Sequence, residues 1–308
     1  MENLKGKIYV ICSAILFGIM PILAKLSYES GSNVQSTLFL RFLFSSIIIY
    51  IYLKYKRILI KLNIKNLILV CTLGFLGYSL MSIFLFTSYN YMPVGVASMI
   101  FFIYPTIISC IEFIIFKEKI TKRKTLSLVL STIGIITIIG IGQSKIKSVG
   151  LIFVLLAALS YSTYVIGINT KAIRKINNIV IIFYVVVTCT ITTGLMGVAT
   201  NSINFKISYI GIIYILILSL ISTVIPFILF LQGAKIIGSS NAAILGTLEP
   251  IVSLLLSDIF LDEKLNFRII VGSVLVLISM ALIQRNDMQD IKSIESENFI
   301  KKSKIKNF

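Results

Sequence analysis

The sequence predicts an all-α integral membrane protein, with ten transmembrane helices arranged as two inverted five-helix repeats. Three observations predict it. Of 308 residues, 57% are hydrophobic and 13% charged, with mean hydropathy +0.99, whereas soluble domains are about 45–50% apolar and about 25% charged. Apolar runs long enough to span a bilayer as helices, roughly 20 residues each, recur ten times. The chain also matches itself at a shift of 145 residues. The runs are apolar on all faces and too long for barrel strands, which alternate in units of about ten residues.

The first run, Gly6–Tyr28, follows Lys5 and Lys7 as a signal peptide would. It is long and lacks an evident small-residue cleavage site, so it reads as a retained span. Ser36–Leu53 ends in the basic group Lys54, Lys56 and Arg57. Asn66–Tyr89 and Pro93–Phe116 follow, with Pro93 suited to a helix start, and Lys124–Gly142 completes the first half. The second half reads Val149–Thr170, Asn178–Thr200, Tyr209–Gln232, Ser240–Leu261 and Phe267–Gln284. This divides the chain into a first repeat (1–148), a second, inverted repeat (149–284) and a basic tail (285–308). Counted in alternate loops, Lys and Arg number 22 on one face and 5 on the other. Positive loops stay inside, so both termini are expected in the cytoplasm and the chain in the cytoplasmic membrane.

The net charge of +17 therefore reads as loops facing anionic lipid, not as a nucleic-acid surface. The count of His is 0, which removes Ser-His nucleophiles, His-rich metal sites and imidazole relays. Cys12, Cys71, Cys110 and Cys189 lie in apolar runs without a CxxC pair, and read as packing residues. No metal or cofactor is expected. Asp258 is the one aspartate inside a span, so an intramembrane aspartate pair cannot form, and no GxxxxGK[ST] loop offers ATP coupling. An enzyme is not expected.

At the shift of 145, Ala97 falls on Ala242, Pro105 on Pro250, Glu118 on Glu263, Lys119 on Lys264 and Arg123 on Arg268. Ala14 and Gly18 match Ala158 and Ser162 at a shift of 144, a small-xxx-small spacing that lets helices approach closely. Five spans per half is an odd number, so the second half enters the membrane upside down. Inverted repeats of this kind build secondary transporters around a midplane site. Thr121 and Asn266 suit helix N-caps. Glu118 and Glu263 follow helix ends, where the dipole disfavours an anion. Each is therefore expected to turn toward the next helix's N-terminus or a nearby cation, as a structural turn.

These residues resemble the ten-span, EamA-type members of the drug/metabolite transporter superfamily. The resemblance rests on Phe17-Gly18 with Lys25, on Arg41, and on Gly95–Ala97 leading to Pro105 and Glu118. It continues through Ala242-Ala243, Thr247-Leu248-Glu249-Pro250, Glu263 and Gly272. It implies export or exchange of small organic molecules through a central cavity shared by the halves, without fixing the substrate. Tyr104-Pro105 departs from Glu249-Pro250, so a site at this level is asymmetric in charge.

Intramembrane charge costs about 2.5–3.5 kcal/mol even on the lenient insertion scale, which makes Glu249 the sharpest candidate. It sits mid-span beside Pro250 and one turn from Gly246. Two readings stand: it binds substrate or a proton, or it ties helices together through a Ser, Tyr or Lys. Lys25 either snorkels to the interface or turns inward as a gate or binding group. Arg41, Glu112 and Asp258 read as interfacial pairs. Pro21, Pro105, Pro226 and Pro250 interrupt spans and point to the first, fourth, eighth and ninth as cavity walls. Tyr104, Tyr161 and Tyr164 offer rings and hydroxyls to a ligand or pack between helices. The expected activity is secondary transport of a metabolite, amino acid or drug-like compound by alternating access, with efflux as the expected direction and protons as the candidate coupling ion. A passive channel or sensory protein is the alternative. Lipid and a small molecule are the expected partners, and the oligomeric state is open.

Overall fold

The computed structural model describes residues 2–117, 121–140, 146–170 and 172–283. Glu118, Gln284 and the tail lie outside the described residues. Every regular element among the described residues is helical. The spans are α1 (Glu2–Glu29), α2 (Val34–Tyr55), α3 (Ile64–Ser88), α4 (Val94–Ile115) and α5 (Lys122–Ile139) in the first half. In the second they are α6 (Ser148–Ile168), α7 (Asn178–Ala199), α8 (Tyr209–Ile237), α9 (Asn241–Leu261) and α10 (Phe267–Ile283). Eight are long and apolar enough to cross a bilayer; α5 opens with three cations and α10 is shorter. The chain is an all-α membrane protein. α8 runs beyond Gln232 to Ile237, because Lys235 in its last turn complements the helix dipole and Gly238, at φ 85°, then ends it.

The repeat is written most clearly in the helix ends. Asn33 and Asn177 cap α2 and α7, accepting from the N–H groups of Ser36 and Ile179. Asn63 and Ser208 cap α3 and α8 through Asn66 and Gly211, and Thr121 and Asn266 cap α5 and α10 through Lys124 and Ile269. Left-handed residues recur too: Arg57 and Asn201 after α2 and α7, and Lys117 and Asp262 after α4 and α9, all with φ between 49° and 54°. Each pair stands 144 or 145 residues apart. Caps satisfy backbone groups that lipid cannot, so their chemistry is held even where the apolar faces drift.

Interruptions recur at the same places. α3 and α8 carry π-helical segments, Gly74–Ser79 and Leu220–Val224. α4 breaks at Phe102–Ile103 and α9 at Thr247; α1 breaks at Ile19, without a counterpart in α6. Pro21, Pro105 and Pro226 sit in the first turn after an interruption, where the missing N–H is no loss. Pro250 lies two residues into the segment that resumes at Leu248.

Helices pack chiefly across the halves: α1 on α8 and α9, α3 on α6, α2 on α7, and α4 on α9. α5 and α10 form their own pair. Ser127 Oγ and Ser279 Oγ each donate to the other's carbonyl at 2.8 and 2.9 Å. A Cβ on Gly134 would meet the Gly272 carbonyl at 2.8 Å, and one on Gly272 the Gly134 carbonyl at 2.6 Å. Small residues at the contact are what backbone-close packing in lipid requires.

Candidate functional site

The breaks in α1, α4 and α9 meet around a central cavity of about 200 Å³. α1 contributes Phe17 and Met20, α3 Tyr78 and Met81, and α4 Phe101, Phe102 and Tyr104. From the second half come Tyr161 of α6, Phe227 and Phe230 of α8, Gly246 and Glu249 of α9, and Met280 of α10. Three helix pairs related by the repeat therefore wall one space, and the four proline-interrupted spans are all among its walls.

Glu249 owes its place to the break at Thr247, which sets it in the first turn of the resumed helix. The Thr247 hydroxyl donates back to Ile244 O at 2.7 Å and does not cap that turn. Among the described residues the carboxylate has no hydrogen-bond or ion-pair partner. The tie to a neighbouring Ser, Tyr or Lys, one of the two sequence readings, is absent from the geometry.

The rings form a connected wall. Tyr104 and Tyr161 meet edge to face at 4.8 Å, Phe101 lies 5.5 Å from Tyr161, and Phe17 meets Phe227 edge to face at 5.2 Å. Tyr164 stands behind this wall, 5.9 Å from Tyr161 and 5.4 Å from Tyr78, and does not line the cavity. A narrow extension of about 20 Å³ runs from Glu249 past Ser98, Ser253 and Tyr89. There Ser253 Oγ donates to Ser98 Oγ at 2.9 Å, and the Tyr89 hydroxyl is buried without a protein partner.

Lys25 is not at the cavity. Its Nζ donates to Tyr89 O at 3.1 Å, beyond the end of that extension. Beside it Glu263 grips the start of α4: Oε1 accepts from Val94 N at 2.8 Å and Oε2 from Gly95 N at 3.1 Å. Of the two places expected for Glu263, the next helix's N-terminus is already capped by Asn266, while the cation Lys25 lies close enough to act on it. The carboxylate bonds to a helix start whose N-cap, Pro93, has no side-chain acceptor. Burial pushes the Glu263 carboxyl above the ordinary carboxylate range, opposed by the two N–H donors, Ser257 and Lys25.

The EamA-like transporter family model matches the chain twice, over residues 4–140 and 148–285. The chain belongs to the EamA-like transporter family. An uncharacterized transporter of Archaeoglobus fulgidus is 25% identical over 222 residues, covering 72% of this chain and 79% of that protein. The uncharacterized transporter YdfC of Bacillus subtilis is 24% identical over 216 residues, covering 70% of each. A solved structure superposes with a TM-score of 0.61 at 14% identity, covering 90% of this chain and 95% of that one, a likeness of fold alone.

In this EamA-family chain the sequence reading of Arg41 needs correction. It is 2% exposed, not an interfacial pair. Its Nε donates to Thr223 Oγ1 at 3.0 Å, and the guanidinium lies 5.1 Å from the rings of both Phe42 and Phe86. No carboxylate of the described residues stands within ion-pair distance of it. Glu112 does pair, with Lys124 at 3.5 Å, and Asp258 accepts from Leu265 N at 3.2 Å. Tyr78, Phe101, Phe102 and Phe227 were missed as cavity residues. Gly74 and Gly77 beside Tyr78, and Pro226 beside Phe227, were the available signals.

Proposed function

We propose that this membrane transporter carries a small organic molecule by alternating access, with the cavity around Glu249 as its binding site. One observation carries the reading: an unpartnered carboxylate, on a helix break, faces a cavity walled by both repeats. Inverted-repeat carriers place their sites at such discontinuous helices. Toward the end that holds the N-terminus, the cavity continues to Ser13 and Ala243. Toward Lys25 it narrows to the small extension, where Lys25 ties α1 to the end of α3 at Tyr89 O and Glu263 ties the α9–α10 loop to the start of α4. With the N-terminus in the cytoplasm, this is an inward-facing arrangement, and Lys25 and Glu263 belong to the outer closure. Export follows from the family resemblance and from this loading position. Protons are the coupling ion the site favours, since Glu249 is a group that can exchange a proton for a ligand.

Flux of a verified substrate in proteoliposomes, with and without a pH gradient, tests this. Coupled transport should respond to the gradient and fall at least tenfold in Glu249→Gln. Full activity in that variant would remove Glu249 from the mechanism.

A further inference from the structure

We infer that the ligand carried in this cavity is a small organic cation bearing an aromatic or similarly flat apolar body. The inference rests on the proposed binding role of the cavity and names the chemistry it selects.

Three features converge. First, the cavity holds one acid, Glu249, without a hydrogen bond or ion pair, so a bound cation meets a charge that nothing else neutralises. Second, among the described residues no Lys or Arg lines it. Lys25 is held at the Tyr89 carbonyl, and Arg41 lies 5.1 Å from the ring centres of both Phe42 and Phe86. An anionic ligand would face Glu249 with no cation beside it. Third, the remaining wall is largely aromatic. Phe101, Phe102 and Tyr104 stand within 6.0 Å of one another, and Tyr161 joins them on one side. Phe17 and Tyr78 approach Phe227 on another. Ring faces attract cations through their quadrupole, and cages of rings are how proteins recognise quaternary ammonium groups. The thioethers of Met20, Met81 and Met280 add soft, adaptable contacts for a flat apolar body.

Size sets the scale. About 200 Å³ lies below the roughly 300–1,000 Å³ of pockets for drug-sized ligands. One ring with a compact charged head fits better than an extended molecule. Charge complementarity gives specificity by rejection as well as attraction. A sulfonate of the same shape should therefore be excluded.

Radiolabelled phenyltrimethylammonium, whose charge is permanent, is the probe, with equilibrium dialysis on the detergent-purified full chain. Saturable binding is expected, displaced by excess unlabelled probe and not by benzenesulfonate. Glu249→Gln should weaken it at least tenfold and Tyr161→Leu at least threefold. Absence of saturable binding, equal competition by the sulfonate, or unchanged affinity in Glu249→Gln overturns the cation assignment. Should Glu249→Gln fail to fold, Tyr161→Leu and the sulfonate comparison on the unaltered chain decide. Flux in proteoliposomes separates the two readings. Saturable cation binding without flux supports the ligand class and overturns the carrier; flux of another solute without cation binding overturns the class and leaves the carrier standing.

Discussion

Glu249, Arg41 and Glu263 are buried or half-buried charges whose surroundings assign them different tasks. Glu249 has no partner, so neutralising it should not harm the fold: removing an uncompensated buried charge relieves desolvation. Glu249→Gln is expected to leave the thermal midpoint unchanged or raise it while flux falls, a divergence readable by thermal shift beside proteoliposome assay. Arg41 depends on its guanidinium lying against the rings of Phe42 and Phe86, a contact that Lys supplies less well. Arg41→Lys should therefore destabilise more than Arg41→Met, because it keeps the desolvated charge and weakens the ring contact. Glu263 combines both problems. Its raised pKa means the folded chain holds that proton to higher pH than the unfolded chain. Its contribution therefore favours the fold at acid pH and is lost as pH rises through the folded value. Glu263→Gln should flatten that portion of the stability–pH curve. Glu263→Ala strands the Val94 and Gly95 N–H groups and should cost about 1–3 kcal/mol. Of these three residues the sequence singled out two by depth and turn position. It misjudged Arg41 because position along a helix says nothing about which way a long side chain points.

Helices here are specified at their ends and joined at their glycines. The caps Thr121 and Asn266 were legible because capping is local chemistry, decided within three residues of chain, whereas Asn63 and Ser208 emerged as caps only in the structure. Helix existence followed from apolar length, and most boundaries agreed within two residues, except the start of α1 and the ends of α5 and α8. The π-helical segments were not legible. A π segment adds a residue to a turn when neighbouring helices reward the resulting side-chain directions, and those neighbours are distant in sequence. The α5–α10 pair was equally hidden, since Gly134 and Gly272 gain their meaning from each other. Gly134→Val or Gly272→Val should separate that pair, with a loss of about 1–3 kcal/mol from overpacking. Cysteines at Ser127 and Ser279 in such a variant should cross-link more slowly than in the otherwise unaltered chain.

The assembled molecule presents an apolar flank to lipid, with Ile114, Leu195, Val198 and Ile259 each two-thirds or more exposed. Its interior polar atoms gather where the halves meet. Alternating access makes a demand at this scale: single cysteines at Ala243 and at Ser98 should differ in reactivity toward a membrane-impermeant thiol reagent. Ala243 should label from the N-terminal side and Ser98 stay protected. Addition of a transported ligand should shift both, and identical labelling of the two positions would sink the proposal that one end is closed. The sequence by itself determined the helical class, the ten spans, the twofold repeat and the isolation of one acid at mid-depth. Those are consequences of composition, period and local capping, which act over a turn or two of chain. Tertiary structure alone decided that Glu249 lacks a partner among the described residues, that Lys25 and Glu263 bond to helix ends on one side, and that rings from five helices share a single wall. Each of these depends on residues far apart in the chain meeting at ångström range, and an apolar run in lipid gives the same signal whichever face it turns inward.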